Sequence, residues 1–209
     1  KQIRLEAGQI GMYIYRNKAV KGYESYDHLG RLQARMIIKR DDAGNMISRC
    51  TLDAKGATVK RFEYEHHENG LMAKKTRFDD ENRMLWYAVY DYDAGGFRIQ
   101  QRNFDRRHNS TSRITFYYDS HGERIRNEVY DPEDYPIKVH VYLYDDQHRR
   151  VKDLTIDLKG GILGTTQYGY DASGCIARIE YLDQKGVLEG YNEICRGPNG
   201  ARLIKKDFD

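Results

Sequence analysis

A period of 26 residues runs from end to end of this chain without an insertion or deletion, and it constrains the fold more than any other feature. One series of anchors reads Tyr26-Asp27, Leu52-Asp53, Phe78-Asp79, Phe104-Asp105, Tyr130-Asp131, Ile156-Asp157, Leu182-Asp183 and Phe208-Asp209. A second series, 14 residues later, reads Arg40-Asp41, His66-His67, Tyr92-Asp93, Tyr118-Asp119, Tyr144-Asp145, Tyr170-Asp171 and Arg196-Gly197. Three residues past the Asp position stands Gly30, Gly44, Gly56, Gly70, Gly96, Gly122, Gly160, Gly174, Gly186 or Gly200, and Asn82, His108, Asp134 and His148 fill the other slots. Asp at the first position of a type I turn bonds its own turn backbone, and a residue at positive φ closes a hairpin with a G1 bulge. Each signature therefore predicts a tight reversal, with Asp27, Asp119 and Asp171 as turn formers and Gly30, Gly122 and Gly174 as left-handed residues.

Ten and eight residues alternate between reversals, near the usual strand length. They are rich in Tyr, Ile, Val, Thr and Arg. The expected fold is all-β: an antiparallel β-meander of about fifteen strands from eight 26-residue repeats. The spacings of 14 and 12 shift the register by two residues over every two strands. Strands must then slant by about 35°, which predicts a curved, spiralling or barrel-like sheet. Residues 1–209 are expected to form a single tandem-repeat domain, part of a longer chain or built to associate end to end.

Two columns of apolar residues follow the period. Twelve residues past each first-series anchor stand Ile38, Tyr64, Tyr90, Phe116, Tyr142, Tyr168 and Ile194; the other column, expected on the opposite face, is Ile47, Ala73, Ile99, Ile125, Val151, Ala177 and Leu203. Both are flanked by charged and polar residues, which predicts a thin sheet wetted on both sides. Tyrosine, at 18 residues, outnumbers every conventional core residue, so a thick apolar interior is not expected.

A net charge of +3 is too small to imply nucleic acid as a partner, and no apolar run is long enough for a membrane-spanning helix. The odd count of cysteines, Cys50, Cys175 and Cys195, favours a reducing compartment. Extending the turn at Asp183 places Cys175 opposite Cys195, which offers a cross-strand disulfide or two small buried thiols.

Few residues invite chemistry. The Asp columns recur two strands apart, about 9.6 Å, far beyond the roughly 2.3–2.6 Å at which calcium binds oxygen. Of the seven histidines, His28, His66, His67, His108, His121 and His148 fall at turns and only His140 within a strand. His66-His67 breaks its series, yet no second ligand stands at zinc spacing. No nucleophile elbow or phosphate loop is present. The expectation is a protein with no metal, no cofactor and no catalytic residue. Arg98, Arg124 and Arg150 recur every 26 residues, and turn arithmetic sets them opposite Phe116, Tyr142 and Tyr168. With Tyr90 these form an Arg–aromatic ladder, read either as cross-strand stabilisation or as a binding surface for a glycan or protein.

Tyr26-Asp27-His28-Leu29-Gly30-Arg31, Tyr118-Asp119-Ser120-His121-Gly122-Glu123-Arg124 and Tyr170-Asp171-Ala172-Ser173-Gly174 resemble the Tyr-Asp repeats of bacterial Rhs and toxin-complex proteins and of teneurins. The resemblance spans the chain as a pattern. It implies a β-sheet strip wound into a shell, extracytoplasmic encapsulating or structural work, and a cell-surface or secreted location. The chain departs from that family in repeat length, and its Gly-Arg-Leu-Thr follow-on is rarely complete.

Overall fold

In the computed structural model the described residues are 2–5, 9–16, 19–27, 29–196 and 202–207, with side chains described for 21–27 and 29–194. His28, Gly197, Gly200, Phe208 and Asp209, and the side chains of Cys195 and Leu203, lie outside them. The chain divides into two compact units, residues 1–111 and 112–209. The first holds β1 (Gln2–Leu5), β2 (Gln9–Arg16), β3 (Ala19–Tyr26), β4 (Leu32–Arg40), β5 (Met46–Asp53), β6 (Thr58–His66), β7 (Met72–Phe78), β8 (Met84–Tyr92) and β9 (Arg98–Asp105). The second is entered within β10 (Ser110–Tyr118) and continues through β11 (Arg124–Tyr130), β12 (Pro136–Tyr144), β13 (Arg150–Ile156), β14 (Ile162–Tyr170), β15 (Ile176–Leu182), β16 (Leu188–Arg196) and β17 (Arg202–Asp207). Within each unit every strand pairs antiparallel with the next, so the meander predicted from the period is the observed fold.

The turns work as their residues dictate. At Asp171 the backbone N–H donates to the Cys175 carbonyl at 2.8 Å, and the Gly174 N–H donates back to the Asp171 carbonyl at 2.9 Å. Oδ1 of Asp171 accepts the N–H groups of Ser173 and Cys175 at 2.9 and 3.0 Å. Asp27 and Asp119 do the same for the residues two and four places on. Gly30, Gly122 and Gly174 all have positive φ, and so do Asn82, His108, Asp134 and His148 where glycine is missing. Where His67 replaces Asp, the backbone turn persists, and Asn69 supplies the missing acceptor by taking the Leu71 N–H at 3.1 Å.

One residue beyond each turn the pairing shifts. Tyr144 faces Arg150, but the next pair is Leu143 with Lys152, which leaves Val151 without a partner. The same skip recurs at the other anchored hairpins within the units: Gln33, Ile47, Val59, Ala73, Leu85, Ile99, Ile125, Ile137, Leu163, Ala177 and Glu189 are all passed over. Each hairpin thus carries a second bulge, which adds a residue to one strand and increases its local twist. Because both turn series carry it, the predicted drift survives: Tyr64 leads through Lys75 to Ala88, and Tyr142 through Asp153 to Thr166, two residues short of the period. The local strand slant is therefore about 35° within each unit.

The second bulge corrects two expectations. Extending the β15–β16 register from Arg178 and Glu193 sets Cys175 against position 196, not Cys195. Cys175 is a free thiol. Likewise the β11–β12 register, extended from Arg126 and Val141, sets Arg124 against Leu143, and the β13–β14 register, extended from Lys152 and Gln167, sets Arg150 against Gly169, each one residue from Tyr142 and Tyr168.

The bulge also separates the two apolar columns. Tyr64, Tyr90, Phe116, Tyr142 and Ile194 are buried, together with Phe62 and Ala88 from the position two residues earlier. This column is the core, and each such side chain contributes about 1.5–3 kcal/mol by leaving water. The other column is the skipped residues, and Ile47, Ile99 and Ile125 are exposed. Val59, Leu85, Ile137 and Leu163, skipped on the alternate hairpins, are exposed as well.

Candidate functional site

The seven residues singled out by sequence, Tyr90, Arg98, Phe116, Arg124, Tyr142, Arg150 and Tyr168, do gather within each unit. The Arg98 guanidinium carbon lies 5.3 Å from the Tyr90 ring centre. In the second unit Arg124 sits between Phe116 at 5.8 Å and Tyr142 at 4.7 Å, and Arg150 between Tyr142 at 4.0 Å and Tyr168 at 5.8 Å. The contacts are diagonal, because the bulge displaces direct opposition by one residue while long side chains still reach. The ladder exists, but its rings form the core. Phe116 and Tyr142 are only 5% and 8% exposed, so the faces that would stack on a sugar are already covered by the protein's own arginines.

Polar groups beside the ladder are paired with one another. Asn127 Nδ2 donates to the Tyr142 hydroxyl at 2.7 Å, and the Tyr168 hydroxyl donates to Asp153 Oδ2 at 2.6 Å. Arg150 Nε donates to the other Asp153 oxygen. His140, the strand histidine, has Nδ1 3.1 Å from Thr155 Oγ1. Burial, and then the bond to Asp153, push the Tyr168 phenol up to about 12. Burial also lowers the His140 imidazole below its ordinary value, helped by the charge on Lys138. Such a network fixes side chains.

The second-series tyrosines have a role the sequence did not disclose. The Tyr92 hydroxyl donates to the Met72 carbonyl at 3.0 Å, Tyr144 to the Arg124 carbonyl at 2.9 Å and Tyr170 to the Arg150 carbonyl at 2.7 Å. Each acceptor lies 20 residues earlier, at the start of the short strand of the preceding repeat. The phenol therefore ties neighbouring repeats together along one edge. The recurrence of Tyr at a fixed place was the available signal, but its partner could be found only in three dimensions.

The turn edges hold two open grooves. One, of about 590 Å³, is lined by His67, Glu68, Asn69, Leu71, Asp91, Tyr92 and Asp93. The other, of about 450 Å³, runs between successive first-series turns past Val59, Arg77, Phe78, Asp79 and Leu85. His121 and His148 sit with ring centres 4.7 Å apart, and His148 Nδ1 is 3.4 Å from Glu123. Among the described residues no three His, Cys, Asp or Glu side chains gather in a metal-binding arrangement, and no helix is long and apolar enough to cross a membrane.

No family model and no curated protein matches the chain. Several solved structures do match it. A Photorhabdus luminescens Tc holotoxin pore carrying a TccC3 variant is 13% identical over 94% of this chain, with a TM-score of 0.39. A TcdB2-TccC3 complex is 12% identical over 90%, with a TM-score of 0.36. A porin-like protein from Bacteroides uniformis is 9% identical over 98% of this chain and 92% of its own, with a TM-score of 0.48. The chain spans 14% of the length of the first of these and 12% of the second.

Proposed function

We propose that this chain is a non-enzymatic repeat scaffold that presents an extended surface for protein contact, as a segment of an Rhs-like shell at the bacterial surface or in a secreted particle. The observation that carries this reading is the commitment of the repeat's signature groups to the repeat itself. The turn aspartates cap their own hairpins, and the second-series tyrosines bind the preceding repeat. The exposed apolar residues include a series of bulge residues, Ile47, Ile99 and Ile125 among them. Within a unit, equivalent bulge positions recur every second strand, about 9.6 Å apart, as with the exposed Val59 and Leu85 in the first and Ile137 and Leu163 in the second. Apolar groups spaced in this way suit a broad protein contact better than a small ligand.

The experiment is carbene footprinting of the exposed aliphatic series, in the isolated chain and in the natural polypeptide or assembly that contains it. The scaffold reading expects Ile47, Ile99 and Ile125 to lose labelling in the assembly while the buried Tyr142 is unchanged. Equal labelling in both states, or substrate turnover abolished by substituting His67 or Asp91 in the larger groove, would sink it. The glycan alternative requires Arg124 and Arg150 to leave the Tyr142 ring, and Tyr142→Ala on a glycan array tests it directly.

A further inference from the structure

Ten residues past the anchor Leu52, Phe62 stands in the core of the first unit with basic residues on every side. Arg49 faces it directly across the β5–β6 pair, and Arg77 across β6–β7. Lys60 lies two residues before it on the same strand. Lys75 faces Tyr64, the next residue on the same face, and so stands diagonal to Phe62. The Arg49 guanidinium carbon is 4.9 Å from the Phe62 ring centre, the Lys75 ammonium 4.8 Å and the Lys60 ammonium 5.3 Å. Since all three lie within 5.3 Å of one point, no two can be farther apart than twice that distance. Over such distances solvent ions screen charge incompletely, the screening length at physiological salt being about 8 Å.

Neighbouring cations are neutralised in the ordinary way. Arg35 pairs with Glu24, Arg61 with Glu63 and Lys74 with Glu65. Among the described residues no carboxylate forms an ion pair with Arg49, Lys60 or Lys75. The faces of an aromatic ring attract cations, but the ring carries no net charge, and the three positive charges remain uncompensated. Burial, and then the charges of Arg49 and Lys60, hold the Lys75 ammonium below the usual lysine range. Arg77 adds a fourth positive charge, with a buried Nε that has no partner. It lines the groove that also contains Asp53, Asp79 and Asp80, and is not counted among the binding groups.

We propose that Arg49, Lys60 and Lys75, gathered around the buried Phe62 ring, form a binding site for a small ligand bearing two or more phosphate or sulfate groups, held by the three cationic groups beside Trp86. A single monoanion would leave most of the charge unmatched. Guanidinium and ammonium groups both suit phosphate and sulfate oxygens, and the half-buried Trp86 ring gives the ligand's carbon or ester framework an apolar neighbour. The site is independent of the scaffold reading and would stand if that reading failed.

The chain's single tryptophan is Trp86, and its ring lies 5.7 Å from the Lys75 ammonium. Indole fluorescence of the whole chain therefore reports binding. Titrations with inorganic tripolyphosphate and with a sulfated disaccharide, against acetate at matched ionic strength, distinguish the two head groups. The expected result is a saturable change with at least one of them, weakening as salt rises. Lys75→Gln and Arg49→Gln should each weaken it about tenfold or more, while Lys21→Gln, on β3 of the same unit and two or more strands away, should weaken it less than about twofold. Removing one of three repelling charges leaves the ligand-free melting temperature unchanged or raised, so lost binding cannot be ascribed to unfolding. If Lys75→Gln does not fold, Arg49→Gln on another strand decides. Failure of both anions to saturate, an equal response to acetate, or equal affinity in all variants would overturn the site.

Discussion

Substitution of Gly174, the left-handed residue of the Asp171 turn, separates backbone conformation from packing. Its φ is 77°, and a Cβ added there would meet nothing within 4 Å. Any loss of stability must then come from the backbone itself. Holding a residue with a Cβ in the left-handed region costs about 1–2 kcal/mol, and a β-branched one is the worst case. Asn is tolerated there, as Asn82 at a φ of 62° shows in this same chain. Gly174→Val should therefore lose about 1–2 kcal/mol, Gly174→Ala about 1 kcal/mol and Gly174→Asn about 0.5 kcal/mol or less. Urea unfolding followed by circular dichroism measures this, with the midpoint shifting at constant slope. For a chain of this size each kcal/mol moves the melting temperature by about 2–4 °C. Should the slope fall instead, the array no longer unfolds as one unit, and amide exchange in β14 and β15 gives the local loss. Equal losses for Val and Asn would refute the reasoning, because then the left-handed requirement does not set the stability of the turn.

Tyr170→Phe removes the hydroxyl that serves the Arg150 carbonyl and should cost about 1 kcal/mol; the exposed Tyr135, changed to Phe, should cost nearly nothing in the same urea assay. Acid should loosen the turns before it affects the core. The Asp119 carboxyl is held below its ordinary value by the backbone N–H of Glu123, and that of Asp145 by the Arg149 side chain. A carboxylate lowered in the folded state stabilises above its unfolded value, about 3.9, and that stability is lost as pH falls through the lower folded value. Asp119→Asn should accordingly flatten the acid limb of a stability-versus-pH curve, and an unchanged limb would show that the capping bonds are not charge-dependent. Tyr168 should ionise near its value of about 12 in a phenolate absorbance titration. Asp153→Asn should lower it only in part, since burial is the larger cause; a full return to the ordinary tyrosine value would contradict that.

The period and the turn chemistry were legible in the sequence because each is a local property, and the strand count nearly so: about fifteen were expected and seventeen are described, the β2–β3 hairpin turning between Arg16 and Ala19 without an Asp anchor. An Asp and a left-handed residue three places on close a hairpin wherever they occur, and the described turns, from Asp27 to Asp183, obey that rule. The two-residue drift followed from spacing alone, and the aromatic column through Tyr64, Tyr90, Phe116 and Tyr142 was visible as one of two apolar stripes, but only the structure shows it to be the buried one. Only the tertiary structure decided what lay one residue beyond the turn. The second bulge leaves no separate signature in an aliphatic residue such as Ile47 or Val151, since a skipped residue and a paired one have the same composition. Yet that single extra residue moved every pairing behind it and set Cys175 one place out of register with Cys195. Likewise no spacing rule announced that Tyr144 would reach the Arg124 carbonyl or that Arg49, Lys60 and Lys75 would crowd one ring. Those are contacts between strands, fixed by register and side-chain length together, and register is known only when the bulges are counted.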